Sequence, residues 1–201
     1  MVSSSFEIPL RKLRSEMAWL CAEFKTSVST SPSRQSQLAC EMAVVRLHDA
    51  WARFCRELVI LSAYGNIVTL GGMSLTCSRP DIDSLASVIP ILLKLKRAKW
   101  EPRWASSAAC IDAAQNLTIQ NLTNVAAALG ATNSPAEALR CVRNFYVHRG
   151  KDTSELAFDT GYFKFKNQPV VFDLNAYTTG GVTVIESWVE GFEAVAFASV
   201  Q

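Results

Sequence analysis

The segment Arg143-Asn144-Phe145-Tyr146-Val147-His148, followed by Arg149-Gly150, holds the residue types best suited to chemistry in this chain. An imidazole titrates at about 6.5, so it can both accept and donate a proton near neutral pH. A guanidinium is a permanent cation whose fork matches a phosphate or a carboxylate. Asn144 and His148 are four apart and share one face of a helix. Arg143 is five before His148 and sits well round the helix, yet its long side chain can still reach a shared ligand. His148 occupies the final turn before Gly150, where the helix dipole favours a cation. The pair is equipped to move a proton and to neutralise a phosphate. The competing reading is structural: Phe145 and Tyr146 are core, His148 caps its own carbonyls, and Arg143 joins a surface ion pair.

The other histidine is His48, in Arg46-Leu47-His48-Asp49-Ala50-Trp51. His48 and Asp49 interrupt an apolar face made by Val45, Ala52, Cys55 and Val59, where a polar pair needs partners. The functional reading puts Asp49, with His48 and Arg46, across from Arg143 and His148, holding the catalytic groups. The structural reading pairs Asp49 locally with Arg46 or Arg53. Arg149 and Lys151 either steer a phosphate backbone or form a cationic helix end. Trp51, Trp104 and Trp188 fall in phase with apolar residues and read as core rather than as base-stacking surfaces. Lys94, Lys96, Arg97 and Lys99, with Arg103, read as a solvated helix end and only secondarily as a nucleic-acid contact.

These groups depend on helices for their placement. Leu13, Met17, Leu20 and Phe24 mark one helical face, and a Ser-rich stretch from Thr26 to Ser36 reads as the loop after it. Val44, Leu47, Trp51, Phe54, Leu58 and Leu61 step by three and four, which predicts a long helix ending near Gly65. Residues 65–78 fit a loop or a short hairpin around Gly71-Gly72. A helix is expected from about Asp81 to Lys99, kinked or divided by Pro90. Trp100 to Trp104 is a connector, followed by helices at about 106–117 and 118–129, the second stopped by Gly130. Ser134-Pro135-Ala136-Glu137 reads as an N-cap, a first-turn proline and an acidic helix start, opening the helix that carries Arg143. Aromatic and β-branched residues at about 156–176 predict a β-hairpin around Lys166-Asn167-Gln168-Pro169. Val182 onward forms a last helix. The fold class is therefore mainly α: a helical bundle with a small β-hairpin after the motif helix, all one domain over residues 1–201.

Composition limits the partners. The chain has 201 residues, 49% of them hydrophobic, and a formal net charge of +2. That charge is too small for global attraction to nucleic acid, so any RNA must meet a local basic patch. No apolar run approaches the roughly 18–20 residues that span a bilayer, and the first ten residues lack a secretory pattern. A cytoplasmic location without membrane contact is expected. The six cysteines show no metal-like spacing and read as small core hydrophobes; no metal site and no cofactor are expected.

Arg-Asn-x-x-x-His at a helix end resembles the defining motif of the HEPN superfamily, small helical proteins that include RNA-cutting toxins and defence nucleases. The Glu101-Pro102-Arg103-Trp104 connector, the helix pair over 116–132 and the expected hairpin after residues 143–153 resemble one branch of it, so the likeness extends from about Ser36 to the end. The resemblance implies antiparallel up-down helices and a metal-independent endoribonuclease acting in a toxin–antitoxin or anti-phage role. It also implies that the RNA 2′-hydroxyl attacks phosphorus to leave a 2′,3′-cyclic phosphate. His148 would then serve as general acid or base, Arg143 as phosphate clamp and Asn144 as orienting group. A homodimer with a composite site, and a neutralising or defence-system partner protein, are further implications. The alternative is a non-catalytic HEPN-like module that binds RNA, a nucleotide or a protein.

Overall fold

In the computed structural model, residues 4–29, 33–132, 134–166, 170–176, 178 and 180–201 are described. Most of them are helical. Among them run α1 (Glu7–Ser29), α2 (Arg34–Tyr64), α3 (Leu85–Lys96), α4 (Ser107–Asn116), α5 (Leu122–Leu129), α6 (Ala136–His148), α7 (Lys151–Phe158) and α8 (Val184–Ser199). Three two-residue strands accompany them: β1 (Ser4–Ser5), β2 (Ile67–Val68) and β3 (Ser74–Leu75). The mainly α architecture expected from the apolar periodicity holds.

The chain divides into two compact units, and α1, α2 and α8 contribute residues to both. One unit comprises Met1–Leu13, Trp51–Ser134 and Glu193–Gln201. Its strands form a sheet in the order β1-β2-β3, with β1 parallel and β3 antiparallel to β2. Gly65 leads into β2 at φ +71, and a Cβ there would stand 2.2 Å from the Thr76 carbonyl carbon, so only glycine fits. The open alternative for residues 65–78 thus resolves as a hairpin. In α3 the helix starts at Leu85 and not at Asp81. The Ser84 hydroxyl accepts from the Ser87 N–H at 3.3 Å, while Asp81 is engaged by Arg79 Nε at 2.9 Å. Pro90 lies inside α3 without dividing it. The Cys55 and Cys110 side chains are fully buried in this unit.

The other unit, Arg14–Ala50 with Pro135–Phe192, holds all the candidate functional residues. Met17, Leu20 and Phe24 of α1, Val44 and Leu47 of α2, Leu139, Val142 and Phe145 of α6, and Ile185, Trp188 and Phe192 of α8 are buried here. Gly191 lets α8 pass close to the start of α6: a Cβ at that position would stand 3.1 Å from Pro135 Cδ.

Several local expectations shift. Among the described residues of 156–176 no strand forms: the first part belongs to α7, Val171–Asn175 is a short 3-10 helix, and 167–169, the expected turn, lie outside the described residues. The physical reason is that Phe163, Val171 and Leu174 serve core contacts and not a ladder. Phe163 is buried, and Tyr162 meets the Trp188 ring edge-on at 5.5 Å. Asp173 Oδ2 takes the Lys164 N–H at 3.1 Å, a bond that a strand partner would otherwise supply. At the N-terminal side, α1 continues to Ser29 and α2 begins at Arg34, so the Ser-rich loop is shorter than the composition suggested, and residues 30–32 lie outside the described set. The α6 N-cap is Pro135 and not Ser134. Its C-terminal cap is Arg149, at φ 52 and ψ 31, whereas the expected stop, Gly150, is extended and caps α7.

Candidate functional site

The burial pattern of α6 has a direct sequence cause. Leu139, Cys141, Val142, Phe145 and Tyr146 recur at three- and four-residue intervals and turn inward. That leaves Arg140, Arg143, Asn144, Val147 and His148 along the opposite arc. At 3.6 residues per turn, Arg143 and His148 lie about 140° apart around the axis and about 7.5 Å apart along it. Asn144 and Val147 fall between them. Arg143 and Asn144 are half-buried; Val147 and His148 are exposed.

Arg143 donates from Nη1 to Asn144 Oδ1 at a long 3.4 Å. Its Nε is buried and has no hydrogen-bond partner among the described residues. Among the described residues Arg143 forms no ion pair either, and the exposed His148 ring has no polar partner. Both side chains of the motif therefore keep hydrogen-bonding capacity that the fold does not use.

Two links tie α6 to α2. Arg149 Nη2 sits on the Glu41 carboxylate, which is buried and also accepts from Gln37 Nε2 at 2.8 Å. The Arg149 guanidinium lies 5.6 Å from the Phe145 ring centre and 5.5 Å from that of Tyr146. Further along α2, His48 lies within the electrostatic reach of Arg143 and Arg140. From Glu41 to His48 is about 10 Å along α2, and from Arg149 back to Arg143 about 9 Å along α6. Glu41 and His48, seven positions apart, share one face of α2.

His48 Nδ1 stands 3.3 Å from Asp49 Oδ1, and the histidine side chain is only 16% exposed. Burial is the main influence on the ring and pushes its pKa below the ordinary 6.5. The hydrogen bond to Asp49 opposes that, and the charges of Arg143 and Arg140 add to the lowering. With Nδ1 carrying the proton toward Asp49, Nε2 keeps its lone pair.

The remaining expectations divide. Arg46 is exposed and lies over the Trp19 ring, 4.7 Å from its centre. Lys151 is exposed at the first position of α7. Arg149 is committed to Glu41, which favours its structural reading. The three tryptophans set aside as core are all buried. In the other unit, Lys96 pairs with Asp112, and Lys99 lies 5.2 Å from the Trp100 ring centre.

No protein-family model matches the chain, and no curated protein or solved structure matches it. The geometry must carry the functional argument.

Sequence reasoning passed over Glu41, Arg140 and the unpartnered hydroxyl of Tyr146. Glu41 was detectable, because it falls among Cys40, Ala43 and Val44 on a buried face and there requires a cation. Arg140 is held by Glu137, with Nε to Oε2 at 2.8 Å, and flanks Arg143 one turn earlier. Tyr146 has a buried hydroxyl without a hydrogen-bond partner among the described residues, and burial pushes its pKa far up. Among the described residues no group of three or more His, Cys, Asp or Glu side chains is placed to hold a metal ion, and no helix is long and apolar enough to cross a membrane.

Proposed function

We propose that this chain is a metal-independent endoribonuclease of the HEPN type. The observation that carries the reading is that Arg143 and His148 share one arc of α6 and, among the described residues, neither is held by an ion pair. The purely structural reading of the motif required an ion pair for Arg143 and a capping role for His148. Arg143 has no such pair among the described residues, and the cap of α6 is the backbone N–H of Arg149 donating to Phe145 O at 2.7 Å.

The chemistry follows from the groups available. The RNA 2′-hydroxyl attacks the adjacent phosphorus, the bond to the 5′-oxygen breaks, and a 2′,3′-cyclic phosphate and a 5′-hydroxyl remain. Arg143 binds the phosphate and opposes the charge that grows on its oxygens. His148 moves a proton as general acid or base. Asn144, between them, orients Arg143 or the ligand. In the symmetric dimer implied by the resemblance, a second copy supplies the other imidazole across an isologous interface. Leu38 and Met42 of α2 and Trp19 of α1 leave exposed apolar surface in this unit for such a contact. An activity of this kind fits a toxin–antitoxin or anti-phage role with a restraining protein partner.

The test is to express wild type, Arg143→Ala and His148→Ala and to follow growth and total RNA. Arrested growth and degraded RNA with wild type alone is the expected result. Equal behaviour of all three removes the nuclease reading and leaves the non-catalytic binding module.

A further inference from the structure

We infer that the connector between α3 and α4 binds a single strand of nucleic acid, with Trp100 stacking on a base and Arg97, Lys99 and Arg103 engaging the phosphates. The inference goes beyond the ribonuclease reading and does not depend on it. Residues 94–103 hold five cations and one carboxylate in a chain whose net charge is only +2, so the basic patch that the overall charge does not supply is concentrated here. The end of α3 accounts for part of it. Lys94, Lys96 and Arg97 stand where the helix dipole favours positive charge, and Lys96 is held by Asp112. Lys99, Trp100 and Arg103 lie past the helix end and are exposed, so neither the dipole nor packing explains them. Trp100 is 76% exposed, the most open large hydrophobic side chain among the described residues.

The connector is pinned on both sides of this ring. Glu101, next to Trp100, accepts from Arg56 Nε at 2.8 Å, from Arg56 Nη2 at 3.1 Å and from Trp104 Nε1 at 2.8 Å, and the Trp104 side chain is buried. Ser106 then caps α4, while Arg97 closes α3. The one carboxylate of the segment is thus occupied within the fold. Arg97, Lys99 and Arg103 have no carboxylate partner among the described residues. The Lys99 ammonium lies 5.2 Å from the Trp100 ring centre, which sets a cation beside the ring that would carry a base. Stacking needs one open ring face, and every base offers a π surface, so such a platform grips a strand without reading its sequence. A duplex keeps its bases stacked on one another and offers the indole none. An anionic membrane suits the cations, yet interfacial binding sinks several apolar side chains together, and Trp100 is the only large one from 97 to 103.

The test uses the full chain and two short labelled strands that 2′-hydroxyl attack cannot cut, oligodeoxythymidylate and 2′-O-methyl oligouridylate, with binding read by fluorescence anisotropy. Wild type is expected to bind at low ionic strength, and a preference between the two strands identifies whether DNA or RNA is the source. Trp100→Ala is expected to weaken binding roughly tenfold, and Trp100→Phe, which keeps a ring, much less. Lys99→Ala and Arg103→Ala are each expected to weaken binding and to lower the slope of log affinity against log salt by about 0.7. Arg34→Ala, which removes an exposed cation at the start of α2, leaves both unchanged. All these side chains are exposed, and circular dichroism establishes that each variant is folded. Full-strength binding by Trp100→Ala, an equal loss in Arg34→Ala and Lys99→Ala, or no binding by wild type overturns the inference. Wild type that binds phosphatidylserine vesicles and neither strand overturns it in favour of a membrane surface. Loss of binding confined to Arg143→Ala overturns it and leaves the ribonuclease reading standing. Strands held through Trp100 by a protein that leaves ordinary RNA uncut uphold it and remove the ribonuclease reading.

Discussion

Arg149 closes α6 with its backbone in the left-handed region and its guanidinium on the buried carboxylate of Glu41, 108 positions earlier in the chain. An L-residue in that conformation costs roughly 1 kcal/mol, and glycine would avoid it. The arginine is retained by what its side chain reaches: the Glu41 carboxylate and the faces of Phe145 and Tyr146. Since His148 precedes this residue directly, the same contact fixes the end of the motif helix.

The pair is unequal, and that makes a prediction. The Glu41 side chain is 8% exposed and that of Arg149 47%. Arg149→Ala strands a buried carboxylate and is expected to cost about 2 kcal/mol, below the 3–5 of a fully buried pair because one partner is half in water. Glu41→Gln leaves a guanidinium that water can reach and should cost less. Arg149→Gly should recover about 1 kcal/mol of the alanine loss by relieving the left-handed backbone. Denaturant melts of the three variants check the order.

Tyr146 predicts an effect in the other direction. Its hydroxyl is buried with no hydrogen-bond partner among the described residues, so Tyr146→Phe removes a desolvated polar atom and keeps the ring. The variant should match wild type or exceed it by up to about 1 kcal/mol. A loss of 2 kcal/mol in the same melt would reveal a partner for that oxygen.

Glu186 governs stability in acid. The Lys25 ammonium at 2.6 Å, then the Thr183 hydroxyl and backbone N–H, draw its pKa from 4.5 to about 2. A carboxylate with a lowered pKa in the fold stabilises fully above its unfolded value, and the contribution is lost as pH falls from about 4.5 toward 2. Glu186→Gln should therefore cost about 1 kcal/mol at pH 6, given the solvent around Lys25, and nothing near pH 2.

His48 acts at milder pH and with the opposite charge. Its folded pKa lies below the ordinary 6.5, so the unfolded chain takes up a proton first and stability declines as pH drops below about 6.5. His48→Gln should flatten the curve between pH 6.5 and 5, above the range that Glu186 controls. Melts at half-unit steps separate the two groups.

How much of this was legible in the sequence depends on the range of the cause. The three- and four-residue steps through Val44, Leu47, Trp51 and Leu58 foretold α2, because helix periodicity is written locally. The failed hairpin at 156–176 shows the limit: Tyr162 was chosen for the Trp188 ring and Phe163 for burial, and both look like strand formers to a local reading. Gly150 looked like the stop of α6, yet Arg149 takes that place through a contact with α2 that no local rule contains. The shared arc of Arg143, Asn144 and His148 was readable from spacing. Whether His48 and Asp49 stand across from that arc stayed one of two readings, since it depends on how two distant helices align.

The most direct test of the central claim is cleavage of a defined RNA by purified protein, with the new ends identified chemically. The account predicts fragments ending in a 2′,3′-cyclic phosphate and a 5′-hydroxyl, formed by wild type and slowed by roughly a hundredfold or more in Arg143→Ala and in His148→Ala. Fragments formed equally by all three proteins, or ends bearing a 5′-phosphate, would contradict it.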